Sequence, residues 1–336
     1  MPVNKKSRVV FYGLWPELHN YTRTLLRAYS CALHSEKISI DNVDPHTDIL
    51  AVFIESPVTK EIMGKMSRLK LISAMSTGYD HIDLKAAKKG NISVANVPTY
   101  GENTVAEHTF ALILGLTRKL FESVKRVKEG KYDFDGLRGM DLKDKTLGII
   151  GTGHIGSHVI RMAKGFDMQV VAYDVKPNRQ LSKTMGFAYV SLNELLKKSD
   201  IVSLHTPLFK ETYHLINKKN IKLMKPGSLL INTARGGLVE PEALLQALNE
   251  KRLAGAGLDV LEDENLLQNF EEVMNCGDNA CKLKTSLINN LIIDHPNTIV
   301  TPHNAFNSTE ALQRIIDVTV SNIKDFIAGR LKNKVV

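Results

Sequence analysis

Leu147-Gly148-Ile149-Ile150-Gly151-Thr152-Gly153-His154-Ile155-Gly156 is the stretch that decides the fold. Its apolar start, with Thr146, reads as a strand, and Ile155–Gly165 continues as an amphipathic helix. Between them the glycines fall at G-x-G-x-x-G spacing. Gly151 permits the tight turn, Gly153 lets the backbone approach a pyrophosphate, and Gly156 lets helix and strand pack closely. An anion there meets the free N–H groups and positive dipole end of the helix at His154, Ile155 and Gly156. Alone, the glycines could mark a structural turn. A second strand, Gln169–Tyr173, ends in Asp174, 18 residues after Gly156. A dinucleotide site needs a carboxylate there for the ribose hydroxyls. Together they predict a Rossmann domain. The Asp174 carboxylate repels an extra phosphate and favours NAD over NADP, even with Lys176 and Arg179 nearby.

Working outward, short β-branched runs alternate with helical patterns in both directions. One series is Arg8–Tyr12, Ile49–Ile54, Leu71–Met75 and Ile92–Asn96. The other is Thr146–Ile150, Gln169–Tyr173, Ile201–Leu204, Ser228–Ile231 and Gly255–Leu258. Glu17–Leu33, Leu192–Lys197 and Pro241–Asn249 read as helices between them. Nearly all-apolar strands argue for parallel sheets covered on both faces, and so many argue for two α/β domains. One long helical pattern, Asn103–Lys128, ends at a C-cap glycine, Gly130, and links the series. A last helix, Ser308–Gly329 with Ser308 as N-cap, returns toward the first series. The expected layout is a domain of 1–100 plus 301–336 and a dinucleotide domain of 101–300. Two chain crossings would join them as a natural hinge.

The 336 residues are 43% hydrophobic and 24% charged, which fits two globular domains and excludes disorder. The longest uncharged stretches, Thr146–Ile160 and His295–Thr309, fall short of a membrane span. No signal peptide is read at the start, and neither a membrane nor a nucleic-acid partner is expected. The net charge is +8, but 44 basic residues are interleaved with 36 acidic ones, which reads as a solvated surface. Three cysteines, none in C-x-x-C spacing, point to a reducing cytoplasm.

Three segments after strand ends carry chemistry. They are Asn232-Thr233-Ala234-Arg235-Gly236-Gly237, Gly257-Leu258-Asp259-Val260-Leu261-Glu262-Asp263-Glu264 and Thr301-Pro302-His303-Asn304-Ala305-Phe306. In an open α/β sheet, ligands bind at that edge. Hydride transfer to a 2-oxo acid needs a carboxylate anchor and a proton donor. Arginine can bind a carboxylate through two parallel N–H bonds. Histidine titrates near neutrality, and a carboxylate on its other nitrogen fixes the tautomer. Arg235, His303 and Glu264 can fill these roles.

These segments resemble the D-isomer-specific 2-hydroxyacid dehydrogenases over nearly the whole chain. Ser76-Thr77-Gly78-Tyr79-Asp80-His81-Ile82-Asp83, Glu107-His108-Thr109 and His205-Thr206-Pro207-Leu208 extend the match. The resemblance implies a flavodoxin-like substrate domain beside the Rossmann domain, NAD as cofactor and a homodimer. It implies Arg235 on the substrate, Glu264 behind His303, and His303 as acid/base. It adds Asp259 at the nicotinamide, His205, Thr206, Pro207, Thr233 and Ala234 beside the cofactor, and Thr77 and Gly78 as backbone donors to the substrate carboxylate. Tyr100 and Phe306 would close a small pocket, as in the family's D-lactate dehydrogenase branch. Reversible reduction of pyruvate is therefore the expected activity. A dehydrogenase for bulkier 2-oxo acids is the alternative, and an NADH-sensing corepressor-like scaffold is the alternative of another class.

Two departures stand out. The stretch between Glu264 and His303 is long, with extra material around Leu266–Asn290, and His154 replaces an arginine common in the phosphate loop. Blander readings hold elsewhere. His108 reads as a structural histidine at a dimer face, and His205 as lining the cofactor cleft without chemistry. Glu262 and Asp263 read as solvated loop charges, and Tyr79 and Met75 as core or pocket. His154 with His158, and Cys276 with Cys281 and His295, fit no common metal pattern, so no metal is expected.

Overall fold

The computed structural model of the chain describes residues 7–267 and 279–336. It divides into two compact units, Met1–Tyr100 with Asn307–Val336, and Gly101–Phe306. Both are α/β with wholly parallel sheets.

The first unit holds β1 (Arg8–Tyr12), β2 (Ser30–Leu33), β3 (Ile49–Val52), β4 (Leu71–Ala74) and β5 (Ser93–Ala95) in the order β2-β1-β3-β4-β5. This is the flavodoxin-like doubly wound order. Its helices are α1 (His19–Leu25), α2 (Lys60–Lys65) and α3 (Leu84–Lys89). Side-chain caps start two of them: Thr59 accepts from Ile62 N, and Asp83 from Ala86 N. The expected helix Glu17–Leu33 is corrected, because α1 stops at Leu25 and Ser30–Leu33 pairs with β1. β2 is an edge strand with no fully buried residue, so it lacks the apolar run that marks the others.

The second unit holds β6 (Thr146–Ile150), β7 (Gln169–Tyr173), β8 (Ala188–Tyr189), β9 (Ile201–Leu204), β10 (Ser228–Asn232), β11 (Leu253–Leu258) and β12 (Thr298–Val300). Their order is β12-β11-β10-β9-β6-β7-β8, the Rossmann arrangement with one strand added. Its helices are α4 (Glu102–Thr117), α5 (Leu120–Lys128), α6 (His154–Gly165), α7 (Arg179–Met185), α8 (Leu192–Lys198), α9 (Pro241–Asn249) and α10 (Asn279–Ile293). Every residue of β9 and β10 is buried, as strands covered on both faces require. Phe110, Ile113, Val159 and Ile160 from α4 and α6 cover one face. Leu195, Leu196, Leu244, Leu248 and Ile292 from α8, α9 and α10 cover the other.

The single helix Asn103–Lys128 is also corrected. It breaks at Lys119, which takes a left-handed φ of +47°. Thr117 O at the end of α4 accepts from Met140 N, so the returning chain caps the helix there.

The last helix, α11 (Thr309–Ile327), belongs to the first unit, and Ser308 caps it by accepting from Ala311 N. Asn322 Nδ2 donates to Asn96 O, and Val335 N to Val94 O on edge strand β5. The boundary lies at Phe306, not at the expected 300/301. Asp259 holds 301–305 to the second unit: its carbonyl accepts from His303 N, and its carboxylate from Asn304 N and Ala305 N.

Candidate active site

Strands β10, β11 and β12 are neighbours, so the segments that follow them lie side by side at the carboxyl edge of one sheet. Asn232, buried at the end of β10, turns the first segment. Its Nδ2 donates to Arg235 O at 2.8 Å, and its Oδ1 accepts from Ala234 N at 3.1 Å. The strand-end position of Asn232 in the sequence gives no sign of this role. Arg235 Nη1 also donates to Ala234 O.

Glu264 and His303 come together. Glu264 Oε1 lies 2.5 Å from His303 Nδ1, and Glu264 Oε2 accepts from Leu261 N at 3.1 Å. The carboxylate therefore spans from its own turn to the histidine ring. A carboxylate partner places the proton on Nδ1 and leaves Nε2 for chemistry. Both side chains are about one-third exposed, at 33% for His303 and 37% for Glu264. His303 itself sits at a left-handed φ of +50°.

Strand order reverses between β6 and β9, and that is where an open sheet forms its crevice. Gly151 sits there with φ +92°, and a Cβ on it would collide with the His205 carbonyl. A Cβ on Gly156 would strike Gly151 O, whereas one on Gly153 would meet nothing within 4 Å. No side chain caps the start of α6. Asp174 Oδ2 accepts from Thr152 N at 2.7 Å and Thr152 Oγ1 at 2.9 Å, and Oδ1 from Lys176 N at 2.8 Å. Burial raises the Asp174 carboxyl, but these bonds outweigh it and hold it below the usual carboxylate range. His205 Nε2 pairs with Ser203 Oγ at 2.8 Å, and burial pushes its ring down to about 3, so it stays neutral.

A model of the D-isomer-specific 2-hydroxyacid dehydrogenase NAD-binding domain matches residues 110–305. The chain belongs to this family. The dehydrogenase is 38% identical over 303 residues to a 2-hydroxyacid dehydrogenase homolog of Zymomonas mobilis, covering 88% of this chain and 89% of that one. It is similar to a structure of the pyruvate reductase of Chlamydomonas reinhardtii, at TM-score 0.88 and 34% identity over 98% of this chain and 99% of that one. It is also similar to D-lactate dehydrogenase from Aquifex aeolicus complexed with NAD and lactic acid. That likeness has TM-score 0.85 and 38% identity over 98% of this chain and 99% of that one.

The dehydrogenase is an oxidoreductase and its cofactor is NAD. The site fits that cofactor: the approach at Gly153 is open, the α6 terminus is uncapped, and Asp174 stands at the end of β7. His154 is exposed and lies 3.3 Å from Glu102, so the phosphate loop keeps a polar side chain where an arginine is common. Thr206 is half-buried, Pro207 exposed and Ala234 half-buried. Thr233 is buried, with its hydroxyl on Thr109.

The other sequence-derived residues of the dehydrogenase divide between the units. Thr77, Gly78 and Tyr100 belong to the first, and Phe306 to the second. Met75 is fully buried and is core. Glu262 is not a solvated charge: Tyr213 Oη donates to its Oε1 at 2.6 Å, and His214 Nε2 sits 2.8 Å from its Oε2. His108 faces Thr301 and Asp259, where the sequence suggested a dimer face. His295 Nδ1 accepts from Asn297 N and closes a turn. Cys276 lies outside the described residues, and no metal-ligand cluster occurs among the described ones.

Proposed function

We propose that this dehydrogenase reduces pyruvate to D-lactate, reversibly, with Arg235 as substrate anchor and His303 as acid/base. The bond of Glu264 Oε1 to His303 Nδ1, at 2.5 Å, carries the reading. It orients the ring and leaves Nε2 to give a proton to the substrate oxygen. The Arg235 guanidinium offers the planar pair of donors that a 2-oxo carboxylate needs and draws charge toward the carbonyl. NAD, bound in its reduced form, supplies the hydride to C2. In the reverse direction His303 takes the hydroxyl proton.

Thr77 and Gly78 are assigned to the substrate carboxylate through their backbone N–H groups. Tyr100 and Phe306 are assigned to the size limit on the acyl chain, and the likeness to a D-lactate dehydrogenase supports the small substrate. Asp259, His205, Thr206, Pro207, Thr233 and Ala234 are assigned to the cofactor side. The first unit is read as the substrate domain and the second as the NAD domain.

A cytoplasmic homodimer completes the reading. Leu120, Phe121, Val124 and Val127 expose one face of α5, and Tyr132 and Phe134 beyond it are 94% and 86% exposed. Apolar surface of this kind marks an interface. Cys31 is a free thiol, which suits a reducing compartment.

The deciding experiment follows NADH consumption with pyruvate, oxaloacetate, 2-oxoisocaproate, phenylpyruvate and hydroxypyruvate, with chiral analysis of the product. The expected result is the highest kcat/KM on pyruvate and D-lactate as product. A clear preference for a larger acid would overturn the substrate, and L-lactate would overturn the stereochemistry.

A further inference from the structure

We propose that His108 is a positioning residue for His303, acting through the hydroxyl of Thr301. The inference rests on the reading of His303 as acid/base. His303 holds a left-handed φ of +50°, which a non-glycine residue keeps only where its surroundings over-determine it. Asp259, 1% exposed, is the anchor. Its Oδ1 accepts from Thr301 Oγ1 at 2.5 Å and Asn304 N at 3.0 Å, its Oδ2 from Ala305 N at 2.9 Å, and its carbonyl from His303 N at 2.9 Å.

A threonine hydroxyl has one hydrogen, and Thr301 gives it to Asp259. Toward His108 Nε2, 3.0 Å away, Thr301 Oγ1 can then only accept. His108 must carry its hydrogen on Nε2. The same Nε2 lies 3.5 Å from Asp259 Oδ1, so the ring leans on both groups that set the His303 turn.

The next residue on α4 repeats the logic on the other segment. Thr109 Oγ1 gives its hydrogen to Val105 O at 2.8 Å, so at 3.0 Å it accepts from Thr233. Thr233 stands two residues before Arg235, as Thr301 stands two before His303. Consecutive residues of one helix thus hold the two catalytic segments, each through a threonine. Neither role follows from NAD binding or from the acid/base assignment.

The test compares His108→Leu, which keeps bulk and loses the donor, with His108→Gln, whose amide restores one. Since a misplacement of 1 Å can cost about a hundredfold in rate, the leucine variant is expected to lose about tenfold or more in kcat. NADH affinity and thermal midpoint should stay near wild type, and glutamine should recover most of the rate. Equal rates in the two variants would overturn the donor role. A second readout needs no turnover. Nitrogen-15 NMR of the wild-type chain is expected to show the His108 hydrogen on Nε2, and the His303 ring resonances should shift in the leucine variant but not in the glutamine one. A hydrogen on Nδ1 alone would overturn the inference. If the wild type reduces no 2-oxo acid, the proposed substrate reading fails, and the NMR result still decides this one.

Discussion

Gly236 and Leu261 meet backbone to backbone, so closely that a Cβ on Gly236 would overlap the Leu261 carbonyl. Gly236 follows Arg235, and Leu261 N donates to Glu264 Oε2. The contact therefore sets the spacing between the arginine segment and the glutamate segment. Gly236→Ala must push these backbones apart. Overpacking of this kind costs about 1–3 kcal/mol. The expected variant has a lower urea midpoint and a kcat/KM reduced more than its NADH affinity. Unchanged kinetics would show that the spacing does not matter.

Arg235 is the residue whose replacement should separate substrate from cofactor. A lysine keeps the charge but not the planar pair of donors. Hydrogen bonds to charged groups are worth roughly 1.5–3 kcal/mol each. Arg235→Lys is expected to raise KM for the 2-oxo acid and lower kcat, and Arg235→Ala to do so more severely, while NADH still binds. Normal steady-state kinetics in the alanine variant would remove Arg235 from the mechanism.

His303→Ala should keep NADH binding and lose about 10²–10⁴-fold in kcat, the usual contribution of a positioned acid/base. Glu264→Gln keeps an acceptor for His303 Nδ1 but removes the charge that strengthens the hydrogen bond orienting the ring. Its loss in the reduction rate should be smaller than that of His303→Ala. Wild-type turnover in the histidine variant defeats the assignment, and an unchanged reduction rate in the glutamine variant defeats the role of the charge.

Much of this site was legible because its residues follow strand ends whose apolar runs are unmistakable. The glycine loop, Asp174, Arg235, Glu264 and His303 all sit at such positions. What the sequence hid was pairing across the chain. Thr152 is the variable residue of a glycine motif, yet its hydroxyl and N–H both go to Asp174. Glu262 looks like one more loop charge until Tyr213 and His214, about fifty residues earlier, close on it. His108 lies 193 positions from Thr301, and periodicity on α4 says nothing of that partner. β2 and the break at Lys119 were hidden for a different reason. Both are decided by tertiary hydrogen bonds from β1 and Met140, against a local pattern that favours helix.

Asp174 should govern cofactor choice as well as loop geometry. Its carboxylate stands at the end of β7, where the adenosine ribose binds in this fold. Asp174→Ser removes the charge that opposes a 2′-phosphate and the Oδ2 acceptor that braces Thr152 through two hydrogen bonds. NADH KM is expected to rise about tenfold, and the NADPH to NADH ratio of kcat/KM to rise as well. A variant that loses NADH activity with no relative gain for NADPH would confine Asp174 to bracing the loop.

The last prediction concerns acid stability. Burial pushes the His81 ring down to about 4, against a smaller opposing pull from Asp80. Its Nε2 is buried without a hydrogen-bond partner among the described residues. In the unfolded chain a histidine titrates near 6.5. Between about pH 6.5 and 4 the unfolded chain therefore binds a proton that the folded one refuses, and unfolding is favoured as pH falls. The stabilisation is complete above the unfolded value and gone below about 4. At about 1.4 kcal/mol per unit the full loss approaches roughly 3 kcal/mol. His205, lowered to about 3, acts in the same direction and extends the loss to lower pH. His81→Leu removes the first contribution and leaves the second. Urea midpoints measured from pH 7 to pH 4.5 should fall less steeply for the leucine variant than for wild type. Parallel profiles would mean that the His81 ring is free to protonate in the folded chain.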